Sequence, residues 1–477
     1  MSTTPKRLAL LGRRLAKLCP EGTMLLLTAT PHDGKTDSFL SLLKLLDPLV
    51  EIGEGKVSLD VASRLVVRRL KSEVTLAGGK KFQKRRIEVV STLGHATREE
   101  KALEGPLDRY LEWLTDQEAR FEAEGRRAQA KGCEFLAGLL RKRFGSSVAA
   151  LRATLRRRLA IPPAPEDRDD VAAYVDTDAS DPEDELIDPV VEADARPPDV
   201  TPREEQLARE LLEAAEKAPQ GGDSKLQATV RLIKQTIPHD ATVVVFTEYR
   251  DTLRAAARRL GQEGISFVAF HGATSDADRE RALVSFNRDP LLKVFLATDA
   301  ASEGKNFQHA AHHLIHLDVP WNPNRCEQRN GRIDRYGQDH PPRIWALVAV
   351  HRKRGEGRPE YRALELVVEK LRTIADQLGS VNSVLPGYAS GSVRDVLLNA
   401  DREAERRLEK LLDDPSLKGA EEDLSRLSIR NQHEMREAGT LVARLGTTDD
   451  FEKELGGLLR TAFRGSCSRR WSRGWSA

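Results

Sequence analysis

The sequence predicts an α/β protein built on a parallel sheet, with a helical insertion and a helical C-terminal extension. Three observations carry this. Between Thr242 and Val350, short runs of Val, Ile, Leu and Phe alternate with charged helical stretches, the pattern of strands covered by helices on both faces. Thr97 to Leu159, and most of the chain after Glu360, read as charged helix. In the alternating part, each unusual polar cluster follows a strand, where open α/β sheets place their ligands.

The elements follow in order. Met24 to Thr28 (MLLLT) reads as a buried strand ending in Ala29-Thr30-Pro31, and Asp37 to Leu46 as a helix with apolar residues on one face. Val66 to Lys71 and Arg86 to Ser91 read as short extended segments. Within the helical Thr97–Leu159 stretch, Arg141 to Arg158 is strongly basic. It is either a face that tracks a phosphate backbone or a solvated helix surface. Residues 162–200 are rich in Asp, Glu and Pro with few large apolar side chains, which predicts a disordered linker. A helix is expected from Pro202 to about Ala218 and another from Ser224 to about Thr236. Strands are expected at Thr242–Phe246, Phe267–Phe270, Lys293–Ala297, His313–Leu317 and Arg343–Val350. Helices are expected at Asp251–Gly264, Ser275–Phe286 and Pro323–Gly337.

Composition bounds the function classes. A chain of 477 residues suits two to four domains at roughly 150 residues each and can bury a sizeable core. Charged residues are 31% and the formal net charge is only +2, so the balance itself says nothing about a nucleic-acid partner. The four cysteines, Cys19, Cys133, Cys326 and Cys467, form no C-x-x-C pair. Structural zinc is not expected, and the usage fits a reducing cytoplasm. No run approaches the roughly 20 apolar residues of a membrane span, and no signal peptide is evident. The expected location is cytoplasmic.

The chemistry concentrates in Gln328-Arg329-Asn330-Gly331-Arg332-Ile333-Asp334-Arg335, a Q-x-x-G-R-x-x-R pattern. Arginines three apart on a helix share a face, and a glycine before them permits close approach. Two guanidinium forks suit a polyphosphate, and such an arginine accelerates phosphoryl transfer. A solvated basic helix is the competing reading. Further clusters are Thr247-Glu248-Tyr249-Arg250, His271-Gly272, the run Thr298 to Gln308, and Pro320-Trp321-Asn322-Pro323. His271 reads as a loop-positioning residue rather than a metal ligand, having no partner ligand near in sequence. Trp321 packs its loop or stacks a base.

Ser302-Glu303-Gly304-Lys305-Asn306-Phe307-Gln308, Pro-Trp-Asn-Pro and the run Glu327 to Gln338 resemble the fifth and sixth motifs of superfamily-two helicases. The resemblance spans about Ser224 to Val350 and is closest to the Snf-type translocases, in the branch of the bacterial RNA-polymerase-associated translocase RapA. Thr28-Ala29-Thr30-Pro31 resembles motif III, and Arg68 to Lys71 the basic run after it. The resemblance implies two RecA-like lobes with ATP and magnesium between them, and duplex DNA as the track. It makes Arg332 and Arg335 phosphate contacts, one of them an arginine finger, with Gln328 coupling nucleotide to motif III. Glu303, Gly304 and Asn306 would link nucleotide to nucleic acid. Thr298, with Thr247, His271 and Gly272, would lie on the nucleic-acid side, and Thr28 and Thr30 would transmit hydrolysis. RNA polymerase, or a neighbouring polypeptide supplying the rest of the first lobe, is an implied partner; a membrane is not.

The sequence departs from that family in one respect. It holds no G-x-x-x-x-G-K-[ST] and no D-E-x-H on a strand. Asp33-Gly34-Lys35-Thr36 has Ala29 where the loop needs its first glycine, and Pro31 removes an amide that would cradle phosphate. The expected organisation is therefore the end of a first RecA-like lobe (1–92), a helical insertion (93–161), an acidic linker (162–200), a second lobe (201–358) and a helical extension (359–477). The expected function is that of an incomplete DNA-translocase motor, inactive in ATP hydrolysis alone. The alternative is a non-catalytic nucleic-acid-binding module or half of a split helicase.

Overall fold

A computed structural model describes residues 26, 43–47, 82–92, 96–162, 199–218, 223–270, 276–289, 291–299, 306–320, 323–348 and 368. Apart from Leu26 and Val368, the expected strand at Met24–Thr28 and the C-terminal extension lie outside these, as do the segment at Val66–Lys71, almost all of the acidic linker and most of the helix expected from Asp37. Residues 43–46 are helical.

Six strands make one wholly parallel sheet: β1 (Arg86–Ser91), β2 (Val243–Thr247), β3 (Phe267–Phe270), β4 (Val294–Thr298), β5 (His313–His316) and β6 (Arg343–Val348). Their order is β1-β6-β5-β2-β4-β3. β2 (VVVFT) and β4 (VFLAT) are buried at every position, as strands covered on both faces must be. One face holds Val243, Val245, Leu296, Ile315 and Trp345 against Leu253 and Leu260 of α7 (Arg250–Gln262). On the other, Phe295 meets Phe307 at 4.4 Å between ring centres, and Phe286 of α8 (Asp276–Arg288) at 5.1 Å.

The helical insertion forms its own core. It comprises α1 (Arg98–Lys101), α2 (Glu104–Ala123), α3 (Arg127–Ser146) and α4 (Val148–Arg158). Its Leu107, Tyr110, Leu136, Leu140, Leu151 and Leu155 pack with Leu207 and Leu211 of α5 (Pro202–Lys217). The starts of α1, α4 and α5 are capped by Thr97, Ser147 and Thr201, whose side chains accept from Glu100 N, Ala150 N and Glu204 N. Thr97/Glu100 and Thr201/Glu204 have capping-box spacing, yet the carboxylates serve tertiary contacts instead. Glu100 accepts from Ser224 N and Oγ (3.0 and 2.6 Å), while Glu204 accepts from Tyr110 Oη (2.7 Å) and Arg158 Nε (2.8 Å).

Three expectations change. Arg86–Ser91 is extended as expected, and it joins the same sheet as β2–β6. It is the sheet's edge strand, paired along its length from Arg86↔Arg343 to Ser91↔Val348. Likewise α5, expected to open the second lobe, packs in the helical core. Finally, the helix α9 spans only Pro323–Asn330, not to Gly337. Beyond it the backbone tightens: Arg332 N bonds Arg329 O (3.0 Å) and Ile333 N bonds Asn330 O (3.2 Å), i−3 pairings that wind a helix end into turns. The helix expected from Ser224 to Thr236 is α6 (Ser224–Arg231), whose last turn widens into a π turn over Leu232–Thr236.

Candidate functional site

The carboxyl ends of β2, β4 and β5 converge on Asp318, which lies two residues past β5 and is 4% exposed. Its carboxylate accepts from Thr247 Oγ1 (2.5 Å), Ser146 Oγ (2.7 Å) and Glu248 N (2.9 Å). Arg329, on the last turn of α9 and 2% exposed, donates to the Asp318 carbonyl (2.8 Å) and carboxylate (3.4 Å). It also donates to both carboxylate oxygens of Asp299, the residue after β4. Burial alone would lower the Arg329 pKa, but the charges of Asp299, Asp318 and Glu248 and the bonds to Asp299 outweigh it, and the net shift is upward. His316 Nε2 donates to Asn330 Oδ1 (2.8 Å). Burial, reinforced by the Arg329 charge, drives the His316 pKa down to about 3, so this ring is neutral.

The arginine turn hangs from this frame. Its backbone is fixed by the Arg332 carbonyl, which accepts from Phe307 N (2.8 Å), and by the wholly buried Ile333. Asp334, also buried, pairs with Arg85 (3.4 Å), which pairs in turn with Glu327 of α9 (2.6 Å). Arg85 directly precedes β1, so the edge strand anchors both ends of the turn. Gln338 Nε2 donates to Ala311 O (2.9 Å) and Ile333 O (3.0 Å). Gly337 has φ +86°, and a Cβ there would lie 2.6 Å from His309 Cε1. That glycine is required by its conformation. Gly331 is not left-handed, and its close neighbours are Glu327 O and Gln328 O rather than a ligand or another element.

The helical insertion reaches the same frame at the α3–α4 junction. Ser146 and Ser147 both hydrogen-bond Thr252 Oγ1 at 2.7 Å, and Ser146 continues to Asp318. Lys225, buried at the start of α6, donates to Gly145 O. Its burial lowers its pKa against the pull of Asp318 and Asp223. Asp223 caps α6 through Leu226 N (2.8 Å), and its burial raises it to about 6.

Of the expected site residues, Arg335 is exposed and donates to Asn306 Oδ1. This brings together two positions assigned to the nucleotide side. Arg332 lies half-buried on the same turn and Gln328 is exposed on α9. The two arginines are therefore not on one helical face, because the helix ends before them. Thr247 is fully buried with its hydroxyl committed to Asp318, which makes it an internal link rather than a surface contact. Thr298 pairs in register with Thr247 and is 1% exposed, with no hydrogen-bond partner for its Oγ1 among the described residues. Thr28, Thr30, His271, Gly272, Glu303, Gly304 and Trp321 lie outside the described residues.

The basic stretch Arg141–Arg158 presents no open phosphate track. Arg141, Arg143 and Arg152 are buried, and Arg156, Arg157 and Arg158 pair with Glu216, Asp251 (3.2 Å) and Glu204 (2.8 Å). Residue reading missed Asp318, Arg329, Ser146 and Arg85. A charged residue just after an apolar strand was the available signal for Asp318; Ser146 and Arg85 offered none.

Residues 224–337 match the helicase conserved C-terminal domain. Over that segment the chain resembles the C-terminal domain of helicases. Over 190 residues it is 32% identical to the uncharacterized ATP-dependent helicase YqhH of Bacillus subtilis (strain 168), covering 39% of this chain and 32% of that protein. Over 159 residues it is 31% identical to an uncharacterized ATP-dependent helicase of Schizosaccharomyces pombe, covering 33% of this chain and 15% of that one. The match thus spans a third or less of each relative's length. Among solved structures, the C-terminal part of the Fun30 ATPase domain aligns over 67% of this chain and 99% of its own, at 16% identity and a TM-score of 0.37.

Proposed function

We propose that the helicase domain supplies the arginine half of an ATP site in a Snf-type translocase that moves on duplex DNA. The observation that carries this is the arginine turn. Arg332 and Arg335 sit on a segment whose backbone is fixed by Phe307, Arg85 and Gln338, between α9 and the start of β6. A guanidinium offers five donors in a rigid fork matched to phosphate oxygens, and Arg335 uses one nitrogen on Asn306 while its side chain stays exposed. The donor set fits the triphosphate of ATP.

The same residues do not complete the site. The nearby carboxylates of Asp299, Asp318, Glu327 and Asp334 are engaged by Arg329 or Arg85. The phosphate cradle and the magnesium ligands would come from a phosphate-loop lobe. Bound ATP-magnesium would supply the reactive γ-phosphoryl group. This chain's part is to offset charge developing on the phosphate oxygens from a preorganised position. Closure of the lobes would bring the turn to the nucleotide and move the domain along the DNA backbone.

The test is ATP turnover by the purified chain, alone and mixed with a polypeptide carrying the phosphate-loop lobe, with duplex DNA, single strands or RNA as activator. The expected result is no turnover alone and duplex-stimulated turnover in the mixture. Arg332→Ala or Arg335→Ala should lower that turnover by about a thousandfold or more. Turnover by the chain alone, abolished by Arg332→Ala, overturns the division of the site. Turnover in the mixture that ignores both substitutions overturns the arginine assignment.

A further inference from the structure

Among the described residues, Tyr336 is the only exposed phenylalanine, tyrosine or tryptophan, at 63%. A lone exposed aromatic needs no explanation by itself. This one lies between Arg335 and Gly337, on a backbone held from both sides. Gln338 N bonds Arg335 O (3.2 Å), the Gln338 side chain ties Ala311 and Ile333, and Gly337 packs on the His309 ring. Ile333, three residues earlier, is wholly buried. The ring is therefore presented to solvent from a rigid turn, and ordering it for a ligand costs little further backbone entropy.

Its neighbour defines the chemistry. Arg335 is an exposed cation with donors to spare, and a flat amphipathic ring follows it directly in the chain. Neighbouring Cα atoms are about 3.8 Å apart, so two side chains of this length are long enough to reach the phosphates and the base of one nucleotide. A cationic fork beside an aromatic face is matched by a ligand that is anionic at one end and flat at the other.

We propose that Tyr336 is a stacking platform for the adenine ring of the nucleotide whose phosphates Arg332 and Arg335 receive. The proposal rests on the nucleotide reading above and adds a base contact to it. Stacking needs no hydrogen bond to the ring edge, so Tyr336 sets affinity for a base as such rather than choice among bases.

The test is calorimetric titration of the full chain, mixed with the polypeptide that carries the phosphate-loop lobe, with ATP and, separately, with inorganic tripolyphosphate. The variants are Tyr336→Ala, Tyr336→Phe, Tyr336→Trp and Arg335→Ala. Base–aromatic stacking removed by alanine corresponds to a loss of about tenfold. Tyr336→Ala is expected to lose about that much affinity for ATP and none for tripolyphosphate, with an unchanged melting temperature because the ring is exposed. Tyr336→Phe and Tyr336→Trp are expected to keep ATP affinity, and Arg335→Ala to weaken both ligands. If Arg335→Ala weakens both ligands but Tyr336→Ala leaves ATP unaffected, the stacking proposal falls and the phosphate reading stands. If both ligands bind the mixture but Arg335→Ala and Tyr336→Ala weaken neither, the nucleotide reading falls and stacking falls with it. If Tyr336→Ala weakens single-stranded DNA binding but not ATP binding, the platform serves a nucleic-acid base and the proposal is overturned.

Discussion

Arg329→Ala should be among the most destabilising single substitutions in the helicase domain. The side chain is 2% exposed, and it bonds Asp299 through both carboxylate oxygens and Asp318 through carbonyl and carboxylate. Removing one partner of a buried ion pair costs about 3–5 kcal/mol, chiefly because the remaining charge loses its compensation. Two features place this case at the lower end. The Asp299 side chain is 26% exposed, so water can reach it, and Asp318 keeps its donors Ser146, Thr247 and Glu248 N. The expected loss is about 3 kcal/mol. Arg329→Lys keeps the charge but not the fork and should lose roughly half as much. The assay is urea unfolding at pH 7, with the slope checked for constancy so that midpoint shifts report stability. A double-mutant cycle with Asp318→Asn isolates the pairwise part. A loss under about 1 kcal/mol for Arg329→Ala would mean the pair behaves like a surface ion pair, and the frame described here would be wrong.

Acid should destabilise the domain well above the range where carboxylates titrate. His313 and His316 are each driven by burial from 6.5 to about 3, so they stay neutral in the fold and protonate on unfolding. Their contribution is complete above pH 6.5 and is lost as pH falls toward 3, at up to about 1.4 kcal/mol per unit for each histidine. Asp223, raised to about 6, works in the opposite sense between pH 6 and 4. Unfolding midpoints at pH 7 and 5 should fall in the wild type and fall less in His316→Gln; an equal fall in both refutes this. Gly337→Ala should cost about 1–2 kcal/mol from its left-handed backbone, with Gly337→Asn milder; equal stability of all three by thermal unfolding refutes it. Tyr110→Phe removes the bond to buried Glu204, which retains Arg158, and should cost about 1 kcal/mol. No measurable change in unfolding midpoint would count against that bond.

The secondary structure was legible wherever a local rule decided it. The continuous apolar runs of β2 and β4 can only be strands buried on both faces, and Thr97, Ser147 and Thr201 stand where N-caps are needed. The arginine motif was legible as a pattern of residue types and spacing. Its geometry was not. A 3.6-residue period ran past Asn330 in the sequence, but Arg332 O is taken by Phe307 N and the chain tightens instead. The partners of Asp318 and of Arg85 were not legible either. Ser146 lies 172 residues from Asp318, and Arg85 lies 242 from Glu327. Nothing local marks a serine at a helix junction, or an arginine before an edge strand, as part of a distant site. Thr247 was misjudged for a related reason: position after a strand points to a ligand loop, but burial decided its partner.

The two buried arginines explain why the site is built on turns and yet is rigid. Arg329 fixes the end of α9 to the loops after β4 and β5, and Arg85 fixes Glu327 and Asp334, on either side of Gly331, to the edge strand. Between these pins the backbone has little freedom, so the exposed Arg335 and Tyr336 are carried on it as on a rigid element. Neither buried arginine need touch a ligand for this to matter. A guanidinium misplaced by an ångström loses much of its effect on a phosphate, because orientation supplies a large share of such a site's energy. Such precision costs two buried guanidinium groups with four carboxylates around them, an arrangement that often gains little stability over a well-packed apolar core. An apolar core would hold the turn in place less specifically, since apolar contacts lack the direction of a forked hydrogen bond. In the proposed ATP site, the charge buried behind the turn would serve to position Arg332, Arg335 and Tyr336 more than to stabilise the fold.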